Sequence, residues 1–474
     1  MTSKSKSKKK YYEPKPAFVE RMQQLLPNEN DFQEYIKILE VELPRSIRCN
    51  TLKISPEKLK SRLEKNYNWI IKQPFEDFPE IMIVEGKLLA NTTIKNNDNK
   101  EKQTHKSFSD INNSSVKVLD KVRTEANDNA NLFALAISPE AIRNRRSVFR
   151  GSSKETSGFL LPGELGRSLE HMLGYYYIQE IASMLPVLAL DPKPNETILD
   201  LCASPGSKTT QIASRMQNTG TLIANEVSQG RINILSANLS RCGCTNVIIT
   251  KKDGMVLCKK LESNISITQE DISKTMNIAN KTMSRAKNKN QDINNQAGDE
   301  DSGGVGTFSQ TKKQNFLFDK ILVDAPCSGE GTIRSTPATN KMWNPKTITR
   351  LSKIQKNLVA SALKILKPGG TLIYSTCTHA PEENEAILDY IKKEFDVEIE
   401  PVAASLPKEL KCREGITEWE DVSNPDKQLN NDKGGTQEGG HLTKKFSPQV
   451  KNACRIYPQD NNTEGFFISM LKKN

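Results

Sequence analysis

The 474-residue chain contains no apolar run close to the roughly 18 to 20 residues that a membrane-spanning helix requires. Its opening segment, MTSKSKSKKK, lacks the apolar core of a secretory signal peptide. From these two absences we expect a soluble, cytoplasmic protein that has no membrane partner.

The cysteine and histidine content favours neither a disulfide framework nor a metal site. Nine cysteines, an odd number, are spread through a large chain, whereas disulfide scaffolds are mostly small secreted domains. Cys242, Cys244 and Cys258 lie near one another in sequence, but their spacing fits no standard zinc pattern and the chain has only four histidines. We therefore expect reduced thiols and no bound metal.

Size and charge favour an α/β core with a further domain and an anionic partner. The hydrophobic fraction of 36% indicates that core segments are diluted by polar stretches. The length allows a full-sized core and at least one more domain. Lysine and arginine number 68 against 57 acidic residues, a net charge of +11, which favours nucleic acid as a partner.

Polar stretches divide the chain into segments. Residues 1–16 are predicted to be a basic, disordered tail, and residues 17–88, with the stretch RSIRCNTLK, a small α+β module. Residues 89–158 are rich in Asn, Lys and Ser without periodicity and are predicted to be a disordered insertion. A second such insertion is predicted at about 263–314, inside a main domain of residues 159–474.

From Gly174 onward, short apolar strands alternate with helical patterns, which is typical of a parallel, doubly wound sheet. The segment Gly465–Leu471 is predicted to be a final strand at the edge of this sheet. The other predicted strands are 197–201, 221–225, 246–250, 318–323 and 370–375, and the helices between them are 209–216, 230–241 and 347–366.

A turn of small residues follows the first of these strands, in the sequence DLCASPGSKT from Asp200 to Thr209. In a doubly wound sheet this position borders the ligand crevice at the carboxyl ends of the strands. Small residues let a ligand approach the backbone, and the helix that follows offers free N–H groups. The turn is neither a Walker loop nor a GxGxxG sequence, so phosphate and dinucleotide ligands are not expected.

Acidic residues follow three successive strands. Glu226 is placed to accept hydrogen bonds from both hydroxyls of a ribose, and Asp253 to meet an adenine amino group, while Asp200 ends the first strand. Each acid alone could be a helix cap or a turn residue, but the series indicates a nucleoside pocket. Arg231, five residues after Glu226, either pairs with that acid or faces solvent.

Two cysteines follow the fourth and fifth strands, in DAPCSGEG and STCTHAPEEN. Cys327 and Cys377 should therefore leave adjacent strands beside the small-residue turn. Carbon-5 of cytosine reacts poorly with a methyl donor unless a thiolate first adds to carbon-6, an addition that suits cysteine. Asp324 would then hydrogen-bond nitrogen-3 of the base, and Cys327 would assist product release. The alternative is that both cysteines are small buried hydrophobes.

These motifs resemble those of the NOL1/NOP2/Sun family of RNA cytosine-5 methyltransferases, whose characteristic sequences are a CAAPGxKT-like turn, DAPCSG, and STC followed by PEEN. Here they are CASPGSKT, DAPCSGEG and STCTHAPEEN. The likeness extends to RCNTLK, GYYYIQEIASMLP, ANEVSQGR and the ending from REGITEWE to GFFI, which is most like archaeal members. Two departures, Ser204 for alanine and the pair His379-Ala380, remove no reacting group.

The resemblance implies a class I S-adenosylmethionine-dependent methyltransferase with a seven-stranded, Rossmann-like sheet, in which residues 159–474 are the catalytic domain. It implies that Cys377 is the nucleophile and that Cys327 is linked to product release. Arg231 is a further candidate cofactor contact. The cofactor contacts that the resemblance implies are Cys202, Ala203, Ser204, Pro205, Gly206, Ser207, Lys208, Glu226, Asp253 and Asp324.

The target base must be single-stranded or flipped out, because carbon-6 is not accessible to a thiolate within a stacked helix. The module at 17–88 is the predicted RNA reader. Its candidate phosphate contacts are Arg45, Arg48 and Lys53, and the candidate stacking residues are Tyr175, Tyr176, Tyr177 and Trp343. Ordinary surface charges and core aromatics are the alternative. We expect a monomer that acts on tRNA, with rRNA as the alternative substrate.

Two rival functions fit part of the pattern. A DNA cytosine-5 methyltransferase would carry its nucleophile in the Pro-Cys loop, which makes Cys327 essential and Cys377 dispensable, but the STC loop argues against it. A non-catalytic RNA-binding or assembly factor would require neither the two cysteines nor the three acids.

Overall fold

The computed structural model describes residues 13–88, 157–158, 160–265, 317–420 and 443–474. The described residues divide into two units, one within residues 1–85 and 161–474 and one within residues 86–160. The first unit combines residues of the predicted α+β module with residues of the predicted main domain. Most of the predicted tail and of both predicted insertions lies outside the described residues.

The strands of the described residues are β1 (Ser46–Cys49), β2 (Trp69–Lys72), β3 (Ile81–Leu88), β4 (Ser157–Gly158), β5 (Tyr176–Ile178), β6 (Thr197–Asp200), β7 (Thr221–Asn225), β8 (Val247–Thr250), β9 (Phe318–Asp324), β10 (Leu366–Thr376), β11 (Val397–Glu400), β12 (Arg413–Glu414), β13 (Glu418–Trp419), β14 (Lys444–Lys445), β15 (Cys454–Ile456) and β16 (Phe466–Lys473). The α-helices are α1 (Pro16–Leu25), α2 (Glu29–Leu39), α3 (Pro56–Tyr67), α4 (Glu164–Arg167), α5 (Leu169–Met172), α6 (Ile181–Leu190), α7 (Ser207–Arg215), α8 (Gln229–Cys242), α9 (Gly254–Ile265), α10 (Ala338–Met342), α11 (Pro345–Lys364), α12 (Glu385–Glu394) and α13 (Pro458–Asn461).

The central sheet has the strand order β12-β15-β16-β10-β9-β6-β7-β8, and β11 also pairs with β16. Strands β8, β7, β6, β9 and β10 are mutually parallel, and β16 is antiparallel to β10. The predicted α/β, Rossmann-like fold is confirmed, because the seven strands β8-β7-β6-β9-β10-β16-β11 form its doubly wound sheet. The short strands β15 and β12 extend the sheet beyond β16.

The predicted position of the last strand at the sheet edge is wrong. Strand β16 pairs with β10 on one side, and with both β11 and β15 on the other. Its side chains from Phe466 to Ile468 are buried. A nearly continuous apolar run is typical of a strand that is covered on both faces, so it suits the interior of the sheet.

Helices cover both faces of the central sheet because adjacent residues of its strands point in opposite directions. In β9, Ile321 and Val323 pack on the same side as Leu358 of α11. Leu322, which lies between them, packs on the side of Leu185 of α6. The sheet therefore has an apolar core on each face. Loops lie at its carboxyl edge, where the parallel strands end.

A second sheet, of order β2-β3-β1-β5, lies outside the central one. Strand β1 pairs antiparallel with both β3 and β5, so the N-terminal module shares a sheet with residues that directly precede α6. Within the second compact unit, Lys87 and Leu88 pair with Gly158 and Ser157. Across the described ranges, no helix has the length and apolar character to cross a bilayer.

A buried ion pair holds β15 against the loop that follows β10. Nε and Nη2 of Arg455 donate to the two carboxylate oxygens of Glu385, each at 2.6 Å. Nη1 donates to the carbonyl oxygen of His379 at 3.0 Å. Both charged side chains are almost fully buried, at 2% and 0% exposure, so neither charge has water as a substitute partner.

We expect the Arg455→Ala variant to lose about 3–5 kcal/mol of the free energy of unfolding, because it leaves the buried charge of Glu385 uncompensated. Urea denaturation followed by circular dichroism measures this loss. Lys445→Ala is the control, since Lys445 pairs with Glu418 where both side chains are exposed, and its loss should not exceed about 1 kcal/mol. Equal losses in the two variants would contradict this account of the ion pair.

Candidate active site

Two cysteine side chains meet at the carboxyl ends of β9 and β10. These strands are parallel neighbours in a register that pairs Asp324 with Ser375, so the loops that follow them leave the sheet at the same level. The Sγ atoms of Cys327 and Cys377 are 3.2 Å apart, and both side chains are half-buried. The backbone N–H of Gly331 donates to the carbonyl oxygen of Cys377 at 2.9 Å, which ties the two loops together.

The two thiols differ in their surroundings. The hydrogen bond to Cys377, burial and the nearby charge of Glu383 raise the pKa of Cys327 well above the usual value of a thiol. The raised pKa favours the protonated form of Cys327, and either sulfur can be the donor of the hydrogen bond between the two. Both cysteines retain some exposed surface where their loops leave the sheet.

A carboxylate and an ammonium group lie at the same edge of the sheet. Oδ1 of Asp324 accepts a hydrogen bond from the hydroxyl of Ser375 at 2.8 Å, and Oδ2 is 2.8 Å from Nζ of Lys208. Lys208 also donates to the hydroxyl of Ser183 at 2.9 Å. The ion pair joins the small-residue turn to the loop of Cys327, and Asp324 keeps part of its surface exposed.

The small-residue turn connects β6 to α7. Gly206 has φ +103°, and a Cβ there would lie 3.0 Å from Cδ1 of Leu235, so the position requires glycine. Asp200 is 1% exposed, and its Oδ2 accepts from the hydroxyl of Thr209 at 2.7 Å. The carboxyl group of Asp200 thus anchors α7 through Thr209, and its expected place in a nucleoside pocket stays a prediction. Of the other turn residues, Pro205 is exposed, Cys202 and Ser207 are half-buried, and Ala203, Ser204 and Lys208 are buried.

The acids after β7 and β8 differ in exposure. Glu226 is buried, and its two oxygens face the backbone N–H of Ser228 at 2.9 Å and Nη1 of Arg231 at 3.3 Å. Arg231 also donates to the carbonyl oxygen of Ser204 at 2.6 Å. Its pairing with Glu226 is one of the two arrangements expected from the sequence. Asp253 is exposed, and its Oδ1 caps α9 by accepting two backbone N–H groups at 3.0 and 3.2 Å.

Sequence reasoning gave no role to three residues that shape this edge. Val227 is 62% exposed directly after Glu226. Gln355 and Glu383 are fully buried beside the segment that carries Cys327. The motif PEEN after Cys377 was a signal for Glu383, but no sequence pattern connects Gln355 in α11 to the cysteine loop.

Four of the predicted RNA-contacting side chains are buried. Arg48 donates to the carbonyl oxygen of Ser207 at 2.7 Å, and Trp343 donates to a buried carboxylate. Tyr176 and Tyr177 are 0% and 8% exposed. Their predicted roles in phosphate binding and base stacking are wrong, because each packs or hydrogen-bonds inside the protein. Lys53 is exposed, but its amine donates to two backbone carbonyl oxygens, at 2.7 and 2.9 Å.

The remaining candidates retain exposed surface. Tyr175 is half-buried, and Cζ of Arg62 lies over its ring, 5.8 Å from the ring centroid. Nη2 of Arg45 lies 3.3 Å from Oε1 of Glu42. Among the described residues, no group of three or more His, Cys, Asp and Glu side chains is arranged to hold a metal ion.

Profiles of two protein families match the chain. The profile described as 16S rRNA methyltransferase RsmB/F matches residues 187–293 and 267–472. The profile described as the N-terminal domain of 16S rRNA methyltransferase RsmF matches residues 15–74.

Curated relatives carry related names. A tRNA (cytosine(49)-C(5))-methyltransferase of Pyrococcus abyssi is 34% identical over 65% of this chain and 73% of its own length. Ribosomal RNA small subunit methyltransferase F of Pectobacterium carotovorum is 29% identical over 96% of this chain and 62% of its own. The protein of the same name from Escherichia coli O9:H4 is 34% identical over 65% of this chain, which spans 47% of that relative. The chain thus covers less than two thirds of the two rRNA enzymes.

Two solved structures from Pyrococcus horikoshii share the fold. One, described as a methyltransferase homolog protein, has a TM-score of 0.54 and 24% identity and covers 97% of this chain and 100% of its own. The other is NSun6 with the S-adenosylmethionine analogue SFG. It has a TM-score of 0.55 and 21% identity, and the match covers 97% of this chain and 98% of the NSun6 chain. At these identities the likeness concerns the fold alone.

The buried carboxyl group of Asp200 predicts a pH-dependent contribution to stability. Burial raises its pKa to about 7, so the folded state binds this proton more tightly than the unfolded state. The resulting stabilisation is fully present below the ordinary aspartate pKa of about 3.9 and is lost as the pH rises through about 7. Compared with Asp200→Asn, the wild-type protein should lose unfolding free energy between pH 5 and pH 8, as measured by urea denaturation. A difference between the two proteins that is constant over this range would contradict the assignment.

Proposed function

Because the chain belongs to the RsmB/F family of 16S rRNA methyltransferases, we propose that it methylates carbon-5 of cytosine in RNA through a covalent bond between Cys377 and the base. The same matches confirm the resemblance to the NOL1/NOP2/Sun family. The observation that carries the proposed chemistry is the 3.2 Å separation of the Cys327 and Cys377 sulfurs beside the Asp324–Lys208 ion pair.

The residues around the small-residue turn fit S-adenosylmethionine, the cofactor of this family. The carboxylate of Glu226 ends a central strand, where it can accept from ribose hydroxyls. The exposed side chain of Val227 offers an apolar surface to the adenine ring, and Asp253 has a second carboxylate oxygen for the adenine amino group. Residues 202–208 would border the remainder of the molecule. When bound, the cofactor supplies an electrophilic methyl group.

The proposed reaction begins with Cys377. As its sulfur bonds to carbon-6 of cytosine, the double bond between carbon-5 and carbon-6 shifts to carbon-4 and carbon-5, and nitrogen-3 takes up the proton that the Cys377 thiol has given up. The negative carboxylate of Asp324, held by Lys208 and Ser375, favours that proton by accepting a hydrogen bond from the base. The addition makes carbon-5 an enamine carbon, which is nucleophilic enough to attack the methyl group.

The product is released when carbon-5 loses its proton and the bond between carbon-6 and the Cys377 sulfur breaks. Cys327 lies next to that sulfur and retains its own proton. It can pass this proton to the departing Cys377 sulfur and accept the carbon-5 proton in exchange. The nitrogen-3 proton leaves at the same stage, so the base returns to its neutral form and both thiols are restored.

Transfer RNA is the first candidate substrate, because the chain covers more of the archaeal tRNA enzyme, 73%, than of the two rRNA enzymes, 62% and 47%. Ribosomal RNA is the second, and a specific observation favours it: residues 15–74 match the N-terminal domain of RsmF. A non-catalytic RNA-binding role is disfavoured, since binding alone does not require two thiols in contact at the sheet edge.

The two cysteines should fail at different steps. With S-adenosylmethionine and RNA purified from a strain that lacks the gene, Cys377→Ala should transfer no methyl group and form no covalent complex. Cys327→Ala should accumulate a protein–RNA adduct that persists in denaturing gels, because the sulfur–carbon bond is not released. Full methylation by Cys377→Ala, or an adduct formed by it, would contradict the assignment of the nucleophile.

The substrate is identified by bisulfite sequencing of tRNA and rRNA from wild-type and gene-deleted cells. We expect at least one 5-methylcytosine to disappear on deletion and to return with the wild-type gene but not with the Cys377→Ala gene. A mark lost from tRNA supports the first candidate substrate and one lost from rRNA the second. Unchanged methylation of both RNA classes would refute the proposed activity.

A further inference from the structure

Two buried polar side chains hold the backbone on either side of Cys327. Nε2 of Gln355 donates to the carbonyl oxygen of Pro326 at 2.9 Å and to Oε2 of Glu383 at 2.7 Å. The same carboxylate oxygen accepts the backbone N–H of Ser328 at 3.0 Å. The residues that immediately precede and follow Cys327 are thus connected through one amide and one carboxylate. We call Gln355 and Glu383 the cysteine bracket.

The cysteine bracket is buried next to an apolar core. Gln355 and Glu383 are each 0% exposed, and α11 presents Leu358 and Val359 to the same core. Burial of an amide and a carboxyl group is unfavourable unless hydrogen bonds compensate for the lost water. Nε2 of Gln355 and Oε2 of Glu383 have each other and the backbone groups of the Cys327 loop as partners, whereas Oε1 of each side chain has no hydrogen-bond partner within the described part of the chain. These hydrogen bonds hold the backbone on both sides of Cys327.

The bracket also connects the two cysteine loops. Glu383 follows Cys377 along the chain, and the hydroxyl of Tyr374 in β10 donates to its carbonyl oxygen. Gln355 belongs to α11, which packs on the face of β9 and β10. The loop of Cys327 is therefore held by groups that are themselves fixed to β10 and α11. Burial raises the pKa of Glu383 to about 7, and its charge is close enough to contribute to the raised pKa of Cys327.

We propose that Gln355 and Glu383 are positioning residues for product release, which hold the Cys327 thiol against the sulfur of Cys377. This inference rests on the proposed function, because it concerns the step that breaks the bond between Cys377 and carbon-6. Neither side chain is required for the addition of Cys377 or for methyl transfer. Loss of the bracket leaves the Cys327 loop anchored at Gly331 and at the Ser328 hydroxyl, but it removes the hydrogen bonds that hold the backbone carbonyl of Pro326 and the backbone N–H of Ser328.

The bracket predicts a specific kinetic defect. In Glu383→Ala and Gln355→Ala, the rate of methyl transfer within a single turnover should stay within about twofold of wild type. The rate of multiple turnover should fall about tenfold or more, because a displacement of the Cys327 thiol near 1 Å can slow its step by that factor. A protein–RNA adduct should accumulate, as in Cys327→Ala. Glu383→Gln retains a side-chain oxygen for Ser328 and should recover part of the turnover.

Glu385→Gln is the matched control. Glu385 is buried two residues from Glu383, but its partners are Arg455 and the backbone N–H of Ile416, and it has no hydrogen bond to residues 326–328. The variant should lower the unfolding temperature without accumulation of the adduct. An adduct in Glu385→Gln equal to that in Glu383→Ala would show that general destabilisation is responsible, and the inference would fail.

The assay uses the full-length protein, S-adenosylmethionine and total RNA from gene-deleted cells, so it also separates this inference from the proposed function. If the wild-type protein transfers no methyl group to any RNA, the proposed function itself fails. If the wild-type protein turns over and Cys327→Ala forms the adduct, but the bracket variants release product normally, only the positioning role is refuted.

Discussion

The parallel pairing of β9 with β10, in the register that places Asp324 beside Ser375, is the constraint on which the site depends. Parallel neighbours end at the same edge, so the next residues of both strands enter the same crevice. Cys327 and Cys377 are 50 residues apart in sequence, yet their sulfurs lie 3.2 Å apart. A shift of either strand by one residue would turn its side chains to the opposite face and separate the thiols.

Polar contacts fix the positions of the side chains that this register brings together. The ion pair of Asp324 and Lys208 joins the small-residue turn to the first cysteine loop, and the cysteine bracket holds that loop on its other side. Such contacts carry a desolvation penalty, which well-formed hydrogen bonds offset. Their concentration at the carboxyl edge of the sheet agrees with the view that preorganised polar groups, rather than mobile ones, favour the changes of charge during catalysis.

Local sequence patterns were sufficient to predict most of the fold and the position of the candidate site. The predicted bounds of β6, β7, β8 and β9 agree with the observed strands to within one residue, because apolar periodicity and turn residues are local properties. Partners distant in sequence were not predictable. Arg48 is buried because it hydrogen-bonds α7. Strand β16 lies inside the sheet because further strands pair with it. The role of Gln355 depends on its contact with a residue 28 positions away in the sequence.

The central claim is that the sulfur of Cys377, and not that of Cys327, bonds to the base. RNA that contains 5-fluorocytidine tests this directly, because fluorine at carbon-5 cannot leave as a proton and the covalent complex is trapped after methyl transfer. The two cysteines lie on different tryptic peptides, since Arg334 separates them. Mass spectrometry of the trapped wild-type protein should find the methylated nucleotide on the peptide that contains Cys377. A nucleotide attached to the Cys327 peptide, or to neither peptide, would contradict the account.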